Sequence, residues 1–75
     1  MPRLPRVSGA EAIRALERLG FVQVRQRGSH VVLKRIAPDR VKGCVVPLHT
    51  ELAVGTLRAI LKQAGVTTEE FVSQL

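Results

Sequence analysis

The stretch Arg25-Gln26-Arg27-Gly28-Ser29 leads directly into His30, and Lys34 follows four residues on. An imidazole therefore stands just past a tight turn with cationic side chains on either side. Histidine can take or give a proton near neutral pH, and arginine and lysine beside it are what a polyanion requires. On RNA, a neutral imidazole can take the proton of a 2′-hydroxyl, whose oxygen then attacks the adjacent phosphorus. General-base help of this kind is worth roughly 10²–10⁴ in rate, and neighbouring cations stabilise the charge that develops on phosphate. The plain alternative is an exposed strand histidine with no chemistry, because catalytic groups are few in any chain.

Other chemistries are less well supplied. Cys44, His30 and His49 lack the ligand spacing of a zinc site. The six Asp and Glu are scattered rather than clustered as a magnesium-dependent nuclease would need. Gly28 and Gly43 are isolated, so there is no phosphate-cradling glycine loop. Nothing cationic adjoins Cys44 to lower its pKa, and a small buried apolar role fits it better than a nucleophile. Any reaction is thus expected to need neither metal nor cofactor. His49 lies in a polar bend, where tying down backbone groups suits it better than serving as a second acid or base.

The elements that would hold His30 can be read in order. Residues 1–7 form a basic lead-in with two prolines. Ser8 and Glu11 make a capping box for a helix over 8–19, with Ala12, Ile13, Leu16 and Leu19 as its apolar stripe and Gly20 ending it. From Phe21 the period falls to two, placing Val22 and Val24 on one side and Gln23, Arg25 and Arg27 on the other. Gly28-Ser29 turns the chain into a second strand over 30–36, in which Val31 and Leu33 face inward and His30, Val32 and Lys34 outward. A type I turn at Ala37-Pro38-Asp39-Arg40 leads to a third strand over 41–46, with Cys44 and Val46 inward, ended by Pro47. Leu57, Ile60, Leu61 and Ala64 mark a helix over 54–64. A second capping box, Thr67 with Glu70, starts a short last helix carrying Phe71, Val72 and Leu75. The expected fold is α+β: one antiparallel three-stranded sheet with helices on one face and Gln23, Arg25, Arg27, His30 and Lys34 on the other.

Size and charge agree with this. Seventy-five residues make one small domain, which buries only about 60% of the surface its unfolded chain exposes. Twelve Lys and Arg against six Asp and Glu give +6, which favours nucleic acid as a partner over membrane; a surface charged for solubility is the bland reading. With two Phe and no Trp or Tyr, stacking bases on an aromatic sheet is disfavoured. A single cysteine, no 20-residue apolar run and no signal-like N-terminus lead to the expectation of a cytoplasmic protein without a membrane segment.

Three motifs, in order, carry a resemblance. They are Gly20-Phe21-Val22-Gln23-Val24-Arg25-Gln26-Arg27-Gly28-Ser29-His30, then Val46-Pro47-Leu48-His49, then Gly55-Thr56-Leu57-Arg58-Ala59-Ile60-Leu61-Lys62-Gln63-Ala64-Gly65. Together they resemble the HicA toxins, the YcfA-like family, over about residues 8–75. The resemblance implies a double-stranded-RNA-binding-like fold and an mRNA-cleaving endoribonuclease, the toxin of a type II toxin–antitoxin pair. It implies His30 as the essential histidine and a HicB-type antitoxin covering that face, while alternation and the turn put Arg25, Arg27, Gly28, Ser29 and Lys34 beside it as the expected RNA-binding residues. One departure is Val54, where the family often has lysine, so an RNA contact from that position is not implied. A non-catalytic module binding duplex RNA, and a domain whose basic face docks an acidic protein, are the alternatives from other classes.

Overall fold

Ser8 opens the first helix in a computed structural model that describes residues 3–75. Helix α1 (Gly9–Arg18) begins with the full capping box: Glu11 N–H donates to Ser8 Oγ at 3.0 Å, and Ser8 N–H donates to Glu11 Oε1 at 2.9 Å. That backbone donor holds the Glu11 carboxyl below the usual carboxylate range. The cap contribution is therefore present at neutral pH and is lost as acid protonates the carboxyl.

Strands β1 (Val22–Arg27), β2 (His30–Ala37) and β3 (Arg40–Pro47) form one antiparallel sheet in the order β1-β2-β3. Helices α2 (Val54–Ala64) and α3 (Thr68–Val72) follow. The α-β-β-β-α layout with a short C-terminal helix is the expected one. Helix α2 ends at Gly65 in the left-handed conformation, and α3 carries the Thr67–Glu70 capping box. No helix among the described residues is long and apolar enough to cross a membrane.

All helices pack against one face of the sheet. Ala12, Ile13 and Leu16 from α1, Leu57, Ile60, Leu61 and Ala64 from α2, and Phe71 from α3 are buried there against Val31, Leu33, Cys44 and Val46. Both Phe residues are core, as their apolar surroundings in sequence lead one to expect. Leu19 and Val72 are only partly buried against this core, and Leu75 stays exposed. Arg35 stitches the sheet to the end of α1: its guanidinium donates to Leu19 O at 3.2 Å and lies 5.0 Å from the Phe21 ring centroid.

The N-terminal segment is more than a lead-in. Its first two residues lie outside the described ones, but Val7 is core and Leu4 packs against it. Leu52 N–H donates to Val7 O at 2.7 Å, and Gly9 N–H donates to His49 O at 2.9 Å. The connection between β3 and α2 is thus sewn to the start of α1.

Burial pushes the Cys44 thiol up from 9.0 to about 11. The folded chain keeps the neutral thiol while the unfolded chain ionises it near pH 9, so this contribution is full below pH 9 and declines as the pH climbs to 11. A Cys44→Val chain is expected to lose less stability than the parent between those pH values, as measured by urea unfolding. In the native parent, thiol reagents should label Cys44 only as fast as the fold opens.

Candidate nucleic-acid interface

Strand β1 holds a surprise for period-two reading. All six of its residues are exposed, and its register with β2 shifts between Gln23 and Arg25. Residues paired directly across an antiparallel ladder share a face. Val22 pairs with Lys34 and so lies on the outer face, whereas Gln23 pairs with Leu33 and lies on the helix side. Gln23 is accordingly withdrawn from the outer face: its amide approaches Glu17 of α1 at 3.4 Å. The bulge adds one residue at Val24, which reverses the alternation before it and leaves the residues after it as expected.

Beyond the bulge, Arg25 pairs with Val32 and Arg27 pairs with His30. Since Val31 and Leu33 are buried on the helix side, Arg25, Arg27, His30 and Lys34 share the outer face, and each is exposed. His30 and Arg27 stand opposite one another, about 5 Å apart at Cβ by antiparallel geometry. Lys34 is four residues along β2 from His30, about 13 Å at the usual rise. On the other side His30 pairs with Pro47 of β3. No carboxylate occurs in any of the three strands. The ion pairs among the described residues, Arg6–Glu51 and Arg40–Asp39, leave Arg25, Arg27 and Lys34 free.

The turn before His30 is held from two sides. Gly28 has a φ of 55°, a left-handed value that the first loop residue of a two-residue II′ hairpin needs. Gln26 Nε2 donates to Gly28 O at 3.0 Å, and Leu48 N–H donates to Ser29 O at 2.6 Å. Both carbonyls of the turn are therefore occupied. The Gly28 and Ser29 N–H groups donate to no partner among the described residues. The tip presents donors, which suits an anion.

Gln26 and Leu48 stand inside the motifs, but their residue types suggest no role there, because neither carries chemistry. Their value lies in bracing the turn, a non-local property. His49 does tie the bend, but through its backbone carbonyl to Gly9. Its exposed side chain makes no hydrogen bond among the described residues. Among the described residues no group of three His, Cys, Asp or Glu is arranged to hold a metal ion.

No curated protein matches the chain. A family model described as the HicA toxin of bacterial toxin–antitoxin systems matches residues 9–66. That span runs from the first residue of α1 to just past the end of α2 and includes the whole sheet and His30. The chain belongs to the HicA toxin family of bacterial toxin–antitoxin systems.

Proposed function

We propose that this toxin is an endoribonuclease that cleaves mRNA without a metal ion, with His30 as its general base, and that a HicB-type antitoxin neutralises it. The observation that carries the reading is the Arg27–His30 pair on a carboxylate-free outer face, next to a turn whose free groups are donors. RNA lies with one phosphate over that pair. His30 takes the proton from the 2′-hydroxyl, the 2′-oxygen bonds to phosphorus, and the bond from phosphorus to the 5′-oxygen breaks. The products are a 2′,3′-cyclic phosphate and a 5′-hydroxyl, the latter taking its proton from water. Arg27, Arg25 and the Gly28 and Ser29 N–H groups face the charge growing on the phosphoryl oxygens. Lys34, about 13 Å along the strand, holds a neighbouring phosphate rather than the reacting one.

Replacing the scissile 2′-hydroxyl by hydrogen is expected to abolish cleavage while changing RNA affinity by no more than a few fold. Gel analysis of the products and a filter-binding titration read the two quantities. Cleavage of the 2′-deoxy substrate at the parent rate would exclude internal attack. Binding of duplex RNA with steep salt dependence and no products at any pH would establish the non-catalytic module instead.

A further inference from the structure

The outer face of the sheet is not uniformly basic. Following β2 away from His30, the residues turned outward are Val32, Lys34 and Ile36, and Ile36 pairs with Val41 of β3. Ile36 is 78% exposed and Val41 58%, the most open apolar pair on this face. Val22, opposite Lys34, and Val45, opposite Val32, extend it and are also exposed. Between Val41 and Val45 comes Gly43, whose missing side chain leaves a shallow dip beside the Lys34 stem. Single exposed aliphatics are ordinary on any surface. A contiguous set on one open face, beside a dip, marks a docking surface.

RNA does not explain this half of the face. It has no aromatic ring to stack a base, and Lys34, set among the aliphatics between Val32 and Ile36, is the one outward charge there for a phosphate among the paired residues. A second copy of the chain, packed face to face, would bring Arg25, Arg27 and Lys34 against their own kind across a two-fold axis, with no carboxylate in the strands to offset them. A toxin of a toxin–antitoxin pair has a partner that must be held tightly. Tight interfaces combine a buried apolar centre with charge complementarity at the rim.

We propose that the Ile36–Val41 end of the sheet, with Val22, Val45 and the Gly43 dip, is the anchor for the antitoxin, separate from the His30 end that handles RNA. This rests on the toxin reading above. The fitting partner surface presents an aliphatic or aromatic knob for the dip, flanked by carboxylates that reach Lys34 and then Arg25 and Arg27. From Ile36 to His30 is six residues of strand, about 20 Å. One folded protein domain can span that, so gripping the apolar end and obstructing the histidine are two jobs done by different residues.

The test uses the whole toxin chain and the purified antitoxin of its toxin–antitoxin pair. Calorimetry measures their affinity, and RNA cleavage is followed separately. An Ile36→Asp, Val41→Asp double variant is expected to bind antitoxin at least about 30-fold more weakly, the loss of one central anchor. Its circular dichroism and RNA cleavage in the absence of antitoxin should match the parent. An Ile36→Thr, Val41→Thr chain, which keeps β-branched residues, is expected to weaken the complex in the same direction and guards against misfolding. Unchanged affinity in both variants would overturn the proposal. So would loss of RNA cleavage at intact fold, which would give the patch to RNA, or a concentration-dependent parent dimer abolished by the double variant, which would give it to a second copy. Because the affinity is measured without RNA, a parent that fails to cleave RNA would sink the nuclease reading and leave this one standing.

Discussion

A His30→Ala chain is expected to fold as the parent does, to bind RNA within a few fold of it, and to cleave about 10²–10⁴ more slowly. The side chain is exposed on the outer face and makes no hydrogen bond among the described residues, so the fold loses nothing when it goes. What disappears, on the proposed mechanism, is the group that takes the 2′-proton. Arg27→Ala is the informative companion. It should weaken RNA binding across sequences and reduce the slope of log affinity against log salt by about one phosphate contact, roughly 0.7 for a single strand. Rate loss without affinity loss at residue 30, and affinity loss with a changed salt slope at residue 27, would separate proton transfer from phosphate binding. A folded His30→Ala chain that cleaved RNA and arrested growth like the parent would remove His30 from the chemistry.

The largest stability loss is expected from a single methyl group at Gly9. A Cβ there would run into the carbonyl oxygen of Pro47 and lie 2.9 Å from Leu48 Cα, both backbone atoms that cannot swing aside. The Gly9 N–H also donates to His49 O, so moving α1 away breaks that bond. Overpacking against rigid neighbours costs about 3 kcal/mol or more, a large share of the roughly 4–11 kcal/mol available to a chain of this size. A fall in Tm of at least about 12 °C is the expected reading for Gly9→Ala. Gly55→Ala, also in a helix but with nothing within 4 Å, should instead raise stability by about 0.5–1 kcal/mol. The opposite signs of one substitution at two helical glycines test the close approach directly. Equal effects would show that the start of α1 does not bear on the β3–α2 connection.

Much of this molecule is legible before it is folded, and the reason is local. Both capping boxes, Ser8 with Glu11 and Thr67 with Glu70, are complete within four residues and appear where their spacing puts them. The apolar stripe of α2 and its Gly65 end are equally self-contained. Arg25, Arg27 and His30 fall on a common face because the two-residue turn fixes their register and the bulge lies upstream. Val22 and Gln23 are misassigned by alternation for the same reason: an extra residue at Val24 reverses the pattern, and nothing in the letters Val-Gln-Val-Arg announces it. The hydrogen bonds of Val7 with Leu52 and of Gly9 with His49 escape local reading altogether, since they join segments about forty residues apart. The apolar half of the outer face is only partly legible: alternation turns Val32 outward, but the bulge hides Val22, and the pairing of Ile36 with Val41 is a property of the sheet.

The Leu48–Ser29 hydrogen bond has a consequence for the order of events during synthesis. The ribosome makes the Gly28-Ser29-His30 turn well before it makes Leu48, the residue that occupies the Ser29 carbonyl. Until Pro47 pairs with His30 and His49 meets Gly9, the hairpin lacks its third strand and its brace, and an isolated two-stranded hairpin is marginal in water. A growing chain thus carries the histidine but not its mounting. The turn is therefore braced on both sides only late in translation, after the link to α2 has emerged.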